Sequence, residues 1–453
     1  MSTNNQMQTS SSSIKTNVQM KESGLDWAGM IPSHWSVSPV KKEYNFFTGG
    51  TPDTKNELYY GDENTWVNIS DLNGKYVSES AKHLSNEGVE AASIPQSPKG
   101  SLLFSFKLSV GAVAFCGADV YTNEAIATFT DDTRNDLNFL YYAAPLEIIQ
   151  NANVNIYGAK LLNQNLIRNA PLIMPPVNEQ KTIAAYLDTQ CKLIDAQIEA
   201  VKQSIQKLDS LKQSFISEAV LKGVDGYTEM KSSGVQWISA IPNDWNVIPL
   251  KQHFTFTKGL PITKENLVDF GIPVISYGQI HSKSNSGTEI SDDLIRYVSE
   301  DYNISNPDCL TAKGDLIIAD TSEDLDGCGN CVYVDRDMQL FAGYHSMILH
   351  SPSSDDNKYF AYLMKSDAWR SQIRSSVYGV KLFSITKGIL SDCTLIVPPV
   401  ESRRRIVSFL DDVCKKIDSV KTIQSDILTE LDSYKQAIIF EYVTGKKQVP
   451  QEA

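Results

Sequence analysis

The strongest constraint on the fold of this 453-residue chain is that its sequence repeats itself. The pattern Met-Lys-x-Ser-Gly, Trp, Ile-Pro and Trp of segment 20–35 returns in segment 230–245. The downstream ends also match, because the Pro-Pro-Val segments at 173–177 and 396–400 are both followed by Leu-Asp, Cys and Ile-Asp at the same spacing. Between the matched ends the sequences diverge, and the second is longer. Two copies with matching ends and different middle segments predict two similar domains. The period of the repeat far exceeds the ~20–50 residues of a solenoid repeat.

Composition limits the class of protein. With 42% hydrophobic residues, the chain can bury the cores of two domains and still form an extended element. No apolar run approaches the ~20 residues that span a bilayer. The polar start, Ser2 to Ser13, lacks the charged-then-apolar pattern of a signal peptide. Seven cysteines, an odd number, fit reduced thiols better than a disulfide framework. We therefore expect a cytoplasmic protein without a membrane partner.

The net charge of -13 argues against simple, stand-alone nucleic-acid binding, because lysine and arginine contacts to phosphates supply most non-specific affinity. The objection weakens if charge is segregated over the surface. It also weakens if partner subunits supply the basic groups around DNA and this chain supplies mainly base contacts.

Each copy predicts a mixed α+β head, in which β-rich runs separated by turn residues are followed by a helix. The predicted strands lie near 65–69, 101–105, 112–115, 272–277, 316–319 and 332–334, and the predicted helices near 137–150 and 358–373. The Ser/Thr/Asn/Gln-rich residues 1–20 show no periodicity and predict a disordered tail.

A long helix follows each head. The Pro-Pro pairs at 175–176 and 398–399 cannot continue a strand or lie inside a helix. After them, apolar residues recur at alternate steps of four and three, which is typical of a heptad seam. Gly223 and Gly445 predict the helix ends. The predicted seam residues are Leu187, Cys191, Ile194, Ile198, Val201, Ile205, Leu208 and Phe215 in the first helix and Ile406, Leu410, Cys414, Ile417, Val420, Ile423, Ile427, Leu431, Tyr434 and Ile438 in the second.

Two amphipathic helices of matching length cannot bury their apolar stripes alone, so we expect them to pair. Since each helix follows its own head, antiparallel pairing would relate the heads by a pseudo-two-fold axis. That arrangement suits inverted DNA half-sites about one helical turn (~34–36 Å) apart. The predicted fold is therefore α+β, with two similar domains joined by two long helices that form an antiparallel coiled coil. The alternative is that the helices are a generic dimerisation device.

The sequence lacks the common catalytic motifs. It has no GxxxxGK[ST] loop, no GxGxxG after a strand, no HExxH and no GxSxG. Met174 and Val397 precede the Pro-Pro pairs where amino-methyltransferases need a polar residue. Cys328-Gly329-Asn330-Cys331 has zinc-knuckle spacing, but without a second pair a Gly-rich loop with buried thiols is favoured over a metal site. We expect neither catalysis nor a bound metal in this chain.

This arrangement resembles the specificity subunit of type I restriction-modification systems. The resemblance rests on the paired Ile-Pro-x-x-Trp segments, on Thr48-Gly49-Gly50-Thr51-Pro52 leading to Trp-Val-Asn-Ile-Ser-Asp-Leu at 66–72, and on the Pro-Pro-Val segment and long helix that close each copy. It covers about residues 21 to 445. The predicted division is a disordered tail at 1–20, target-recognition domain 1 at 21–177, spacer helix 1 at 178–223, target-recognition domain 2 at 224–400, spacer helix 2 at 401–445 and a tail at 446–453.

The resemblance implies a subunit that performs no chemistry and reads a split site on double-stranded DNA. It would dock two methyltransferase subunits, which use S-adenosylmethionine to methylate adenine N6. The complex can recruit a restriction subunit that needs ATP and magnesium, so no cofactor would bind to this chain. The competing interpretation, which the acidic balance would suit, is a non-catalytic coiled-coil scaffold whose two heads bind other proteins.

Candidate DNA contacts come from two patterns. Tyr157-Gly158-Ala159-Lys160-Leu161 shares its skeleton with Tyr378-Gly379-Val380-Lys381-Leu382. In both, glycine permits close backbone approach, lysine can contact a phosphate, and tyrosine can contact phosphate, sugar or base. The alternative is a structural turn shared by both heads.

The second pattern is polar residues at strand ends, since Asn, Gln, Lys, Arg, Ser and Thr read major-groove edges. These are Lys55, Asn68, Ser70, Lys107 and Ser109 in the first head and Tyr277, Gln279, His281, Lys283 and Ser322 in the second.

Overall fold

The computed structural model describes residues 18–155, 158–226, 229–351, 357–379 and 381–450. The chain forms two compact units: unit 1 combines Met1–Ala200 with Ile427–Ala453, and unit 2 is Val201–Asp426. Each unit contains one head and a part of both long helices. Within the described ranges, no helix combines the length and the apolar character that crossing a bilayer requires.

The first head is built on a five-stranded sheet whose strands are antiparallel except for the last pair. Their order is Phe46–Thr48, Ile126–Phe129, Leu102–Ser105, Val113–Cys116 and Tyr76–Val77. The central strand Leu102–Ser105 is buried along its whole length. Both of its faces are covered, which explains why three of its four residues are apolar. A three-stranded sheet lies beside it in the order Tyr121–Thr122, Tyr60–Val67 and His83–Leu84.

The second head repeats this plan. Its main sheet has the order Thr255–Lys258, Ser346–His350, Leu316–Ala319 and Cys331–Tyr333, and its other sheet has the order Arg296–Val298, Ile272–Ile275, Leu340–Ala342 and Leu310–Thr311. In each head, the second sheet holds one parallel pair: Tyr60–Val67 with Tyr121–Thr122, and Ile272–Ile275 with Leu340–Ala342. The sequence repeat is therefore also a repeat of topology, although the inserts differ.

Each head is closed by its own ends. Ser36–Pro39 pairs antiparallel with Pro171–Met174, and Asn246–Pro249 pairs with Thr394–Val397. The remaining strands are Met20–Glu22, Met30–Pro32, Asn153–Val154, Lys160–Leu161, Met230–Val235, Ile238–Pro242, Thr321–Ser322 and Phe383–Ser384. The shorter helices are Val40–Glu43, Asn86–Ala91, Leu137–Glu147, Gln164–Asn169, Leu250–His253, Tyr277–Ile280, Tyr302–Ser305, Lys358–Lys365, Asp367–Arg374 and Lys387–Asp392. The single helix predicted at 358–373 is thus two helices, because Ser366 caps the second by accepting a hydrogen bond from the Trp369 amide.

The two long helices are Val177–Lys222, of 46 residues, and Val400–Val443, of 44 residues. Each is followed by a glycine with left-handed backbone, Gly223 at φ 84° and Gly445 at φ 70°. Such a residue terminates a helix without the steric cost of a Cβ atom.

The helices pair antiparallel within each unit. In unit 1, Tyr186 contacts Tyr442, whereas Lys435, nearer the start of its helix, bonds Asp195 at 2.6 Å. In unit 2, Gln424 bonds Ser204 at 2.7 Å, whereas Lys212 bonds the earlier Asp418 at 2.7 Å. As the position rises on one helix it falls on the other, which confirms the predicted antiparallel coiled coil.

The predicted seam is buried in the first half of the first helix, is half-buried at Val201, Ile205, Leu208 and Phe215, and fails in the middle of the second helix. Leu187, Cys191, Ile194 and Ile198 are buried, as are Ile406, Leu410, Cys414, Ile417 and Ile438. In contrast, Val420, Ile423, Ile427 and Tyr434 are exposed, so their assignment to the seam is wrong. Their neighbours Lys421, Gln424 and Lys435 face the partner helix instead, because Asp209, Ser204 and Asp195 there satisfy the ammonium and amide groups.

The repeated tryptophans fasten each head to the end of a long helix. Trp35 belongs to one buried cluster with Ile438 and Val443, and Trp245 belongs to another with Ile216 and Val220. Both indoles are 3% exposed, so each contributes a large buried apolar area. Trp35 and Trp245, which recur in the sequence repeat, therefore join each head to a long helix.

Candidate nucleic-acid interface

In the first head, several candidate residues meet at one edge of the main sheet. Phe46–Thr48 and Leu102–Ser105 end at this edge and Ile126–Phe129 begins there, because Thr48 pairs with Ala127 and Ser105 with Ile126. The loops that carry Lys107, Ser109 and Glu124 therefore share one surface. We name the residues 49–52, 106–111 and 123–125 the first sheet edge.

Lys107 lies on this edge with its ammonium free to exchange partners. Its Nζ is 3.7 Å from Oε1 of Glu124, and both side chains are about half exposed. The hydroxyl of Thr51 donates to the Glu124 carboxylate, and this bond together with Lys107 lowers the pKa of Glu124. An exposed pair of this kind contributes little to stability, so a phosphate can compete for the lysine at small cost. Ser109 is exposed in the same loop.

The structure separates the other candidates of the first head. Asn68 follows the strand Tyr60–Val67 and is half-buried; its amide donates to the Trp66 carbonyl at 3.0 Å and accepts from Asn123 at 3.3 Å. Ser70 is exposed in the next turn. Lys55 is also exposed but precedes the strand that Asn68 follows. Asn68 therefore has internal partners for both amide atoms, whereas Lys55 and Ser70 face solvent.

The Tyr-Gly-x-Lys-Leu segment of the first head forms a hairpin. Asn153–Val154 pairs with Lys160–Leu161, and Gly158 takes a left-handed conformation at φ 79° in the turn. Lys160 is exposed, and Tyr157 lies outside the described residues. The helix that follows is tied to the first sheet edge, since Gln164 donates to the Thr48 hydroxyl at 2.9 Å. The helix after Lys160 therefore contacts the strand Phe46–Thr48, which leads into the first sheet edge.

In the second head, the corresponding edge carries an aromatic cluster. Lys258 pairs with Met347 and Ala319 with Ser346, so residues 259–262, 320–322 and 343–345 form the second sheet edge. The Tyr277 amide donates to the Tyr344 carbonyl at 3.1 Å. The ring of Tyr277 lies 4.6 Å from that of His281.

The imidazole of His281 is fixed by two partners. Nε2 lies 3.0 Å from the Thr321 carbonyl, which can only accept, so Nε2 carries the proton. Nδ1 lies 3.2 Å from the amide of Asn330 and accepts from it. These two bonds fix the orientation of the ring and leave its face next to Tyr277.

Three further candidates of the second head differ in accessibility. Gln279 is half-buried, and its side-chain oxygen accepts from the Ser276 amide at the start of a helix. Lys283 is exposed. Ser322 is 1% exposed and its hydroxyl donates to the Asp324 carbonyl at 2.7 Å, so the structure does not present it to a ligand.

The second Tyr-Gly-x-Lys-Leu segment also reaches its sheet edge. Thr321–Ser322 pairs with Phe383–Ser384, which places the segment beside residues 320–322. Tyr378 is 89% exposed, and Lys381 is exposed. Gly379 packs closely enough on the Leu382 carbonyl that a Cβ atom would lie 2.2 Å from its oxygen. The turn itself therefore requires glycine at position 379, because its backbone lies close to the Leu382 carbonyl.

Sequence reasoning missed two residues of these edges. Glu124 competes for Lys107, and His345 is an exposed residue with φ 52° whose ring lies 3.4 Å from Asp320 and 6.2 Å from Tyr277. Glu124 lies two residues before the strand Ile126–Phe129 and His345 lies directly before Ser346–His350, but only the strand pairing shows that they reach the same edge as the candidates. No sequence pattern singles them out.

The heads are joined to the helices by a repeated polar contact. Asp188 accepts from the Tyr142 hydroxyl at 2.6 Å and from Lys75, while Asp411 accepts from the Tyr362 hydroxyl at 2.7 Å and from Lys358 at 2.8 Å. The carboxylate and phenol recur in both copies. Lys75 directly precedes the strand Tyr76–Val77, whereas Lys358 is the first residue of the helix Lys358–Lys365.

The exposed side chains of the two edges are suited to non-covalent contact with a ligand. Among the residues that the structure describes, no group of three His, Cys, Asp or Glu side chains could hold a metal ion. Burial raises the pKa of the Cys328 and Cys331 thiols, which keeps both in the protonated form that binds metals poorly. The exposed side chains at and beside the two edges include the ammonium of Lys107, the imidazole of His345 and the phenol of Tyr378, which can bond phosphates or base edges, and also the carboxylate of Glu124.

Comparisons with known proteins identify the family. The family model described as type I restriction modification DNA specificity domain matches twice, at residues 32–209 and 242–429. The chain is 21% identical to the type I restriction enzyme MjaIX specificity subunit of Methanocaldococcus jannaschii, over 86% of this chain and 89% of that protein. It is 23% identical to the StySPI specificity subunit of Salmonella potsdam, over 92% of this chain and 90% of that protein.

Solved structures share the fold. A chain from work on complex assembly and conformational transition of the type I R-M system superposes with a TM-score of 0.68 and 17% identity, covering 92% of this chain and 99% of its own length. The HsdS subunit of Thermoanaerobacter tengcongensis gives a TM-score of 0.50 and 16% identity, covering 92% and 98%. Since the family model matches both copies and most of the chain, this protein belongs to the type I restriction-modification DNA specificity family.

Proposed function

We propose that this chain is the DNA sequence-recognition subunit of a type I restriction-modification complex, and that its two heads read the two halves of a split site. The observation that carries the proposal is the duplication. A specificity domain matches each copy, and the heads share the strand order of their main sheets. The side chains at the two edges differ, with Lys107 and Glu124 on one and Tyr277 and His281 on the other. Common frames with unlike contact residues suit the reading of two different sequences.

In this proposal the chain performs no chemistry itself. It docks two methyltransferase subunits, which bind S-adenosylmethionine and methylate adenine N6. A restriction subunit that uses ATP and magnesium joins the same complex. The complex acts in the cytoplasm, because genomic DNA is its substrate.

The acidic net charge is compatible with this role. The lysines at or beside the two edges, Lys107, Lys160, Lys283 and Lys381, are exposed, whereas Asp195, Asp209 and Asp418 on the long helices are paired with lysines. Exposed lysines at or beside such an edge can attract a phosphate backbone locally despite the net charge of the chain.

Selection from a random duplex DNA library with the full chain tests the proposal. We expect two short fixed motifs separated by a gap of constant length and free sequence. We also expect affinity for the selected site to fall steeply between about 50 and 200 mM salt, because phosphate contacts release counterions. A scaffold protein would enrich no sequence, and a single uninterrupted motif would contradict reading by two heads.

A cellular measurement tests the partner part separately. Deletion of the gene for this chain should remove methylated adenines from the same interrupted motif across the genome. If the motif selected in solution remained fully methylated, the chain would not direct the methyltransferase.

A further inference from the structure

Leu108 occupies the first sheet edge in a position unusual for its chemistry. Its side chain is 92% exposed, whereas Phe106 and Val110 of the same loop turn inward and pack on the core. Single exposed apolar residues are common on protein surfaces and need no explanation on that ground alone. A second feature sets Leu108 apart.

The backbone of Leu108 is left-handed, with φ 56°. This conformation is strained for a bulky side chain and is ordinarily taken by glycine, asparagine or aspartate. The loop holds it by hydrogen bonds, since the Gly111 amide donates to the Ser105 carbonyl at 2.9 Å and the Ser105 hydroxyl donates to the Lys107 carbonyl at 3.0 Å. Because the side chain of Leu108 is exposed, it buries too little apolar surface to offset the strain of its backbone. Strain of this kind concentrates at binding sites.

The neighbours of Leu108 are side chains of the types that can contact DNA. Lys107 and Ser109 are both exposed on either side of it, and the loop continues directly from the central strand Leu102–Ser105. A hydrocarbon side chain can neither donate nor accept a hydrogen bond. The apolar group that base pairs display in the major groove is the C5 methyl of thymine.

We infer that Leu108 reads a thymine of the first half-site by apolar contact with its C5 methyl group, while Lys107 binds an adjacent phosphate. This inference rests on the proposed DNA-reading function and makes it more specific. It requires that the half-site read by the first head contains an A·T pair.

The test uses the full chain and duplexes carrying its selected site, in which each thymine is replaced singly by deoxyuridine, which lacks only the methyl group. One replacement should weaken wild-type binding about fourfold, as expected for one buried methyl group. Leu108→Ala should weaken binding to the unmodified site about tenfold and should be insensitive to that same replacement. The salt dependence of binding should not change, because no phosphate contact is lost.

Two further variants separate recognition from folding. Leu108→Asn places a residue suited to left-handed backbone at this position, so we expect a thermal midpoint at or above that of wild type together with the same loss of affinity. Leu193→Ala removes an exposed leucine from the first long helix and should bind like wild type.

Three outcomes overturn the inference. The first is that Leu108→Ala and Leu108→Asn bind like wild type. The second is that both are weakened but keep the wild-type response to every deoxyuridine, which would point to insertion between base pairs instead. The third is that no single deoxyuridine replacement weakens binding of the wild-type chain. Failure of the wild-type chain to select any DNA sequence is a different result, and it would remove the proposed function.

Discussion

At the scale of single residues, a side-chain oxygen from a helix accepts a hydrogen bond from an amide of the last strand in each head. In the first head, the Glu147 carboxyl accepts from the Ile173 amide at 2.8 Å. In the second, the Gln372 side-chain oxygen accepts from the Thr394 amide at 2.8 Å. Glu147 is fully buried, and this burial raises its pKa well above the ordinary value. A carboxyl buried in such surroundings favours its neutral form.

We predict that Glu147→Gln stabilises the protein increasingly as pH rises from about 5 to 8. The folded state holds a proton that the unfolded state releases above its pKa of about 4.3, so wild-type stability is full below that value and falls above it. The slope is at most about 1.4 kcal/mol per pH unit, and glutamine removes it. Urea unfolding at several pH values measures the difference. The exposed Glu90→Gln is the control, and parallel curves for wild type and Glu147→Gln would contradict a protonated carboxyl.

A second residue-scale prediction concerns the paired lysines of the two hairpin segments. Lys160→Ala and Lys381→Ala should each weaken binding to any DNA sequence and reduce the slope of log affinity against log salt by about one unit, because each removes one phosphate contact. Lys192→Ala, which removes an exposed lysine of the first long helix, is the matched control. Unchanged slopes would mean that these segments are structural turns.

The residue scale is also where sequence reasoning reached least far. It found exposed Lys107 and Tyr378, but it also selected Ser322, which the fold buries, and passed over His345. Whether a polar side chain faces solvent depends on strand pairing between residues far apart in the chain. Thr321–Ser322, for example, is covered through its pairing with Phe383–Ser384.

At the scale of elements, the long helices and their ends could be predicted because they follow from local chemistry, namely Pro-Pro before each helix and left-handed glycine after it. The seam of the second helix could not be predicted in its middle. Val420, Ile423 and Ile427 have the right spacing, but the partner helix offers Asp209 and Ser204 there, and these select Lys421 and Gln424. A heptad pattern on one helix contains no information about the polar groups opposite.

The repeated aspartate contacts yield an element-scale prediction. Asp411→Ala should lower the free energy of unfolding by about 1–2 kcal/mol, since it leaves the Tyr362 hydroxyl and the Lys358 ammonium half-buried without their shared acceptor. The adjacent Asp412→Ala, which removes only a surface pair with Lys416, should cost less than about 0.5 kcal/mol. Thermal unfolding of the two variants compares them. Equal losses would show that the contact between Asp411 and Tyr362 does not fasten head to helix.

At the scale of the whole molecule, both long helices run through both compact units: Ala200 and Val201 belong to different units, as do Asp426 and Ile427. If the two heads read one split site, the length of the helices sets the gap between its halves. Inserting one heptad near residue 201 and another near residue 427 keeps the phase of the seam and adds about 10.5 Å of helix. We expect the preferred gap in selected DNA to grow by about three base pairs, because a base pair spans about 3.4 Å of the duplex axis. A heptad inserted in one helix alone should destabilise the pair instead, since the polar contacts lose their register. An unchanged gap with both heptads in place would refute the helices as the ruler, even if each head still selected its own half-site.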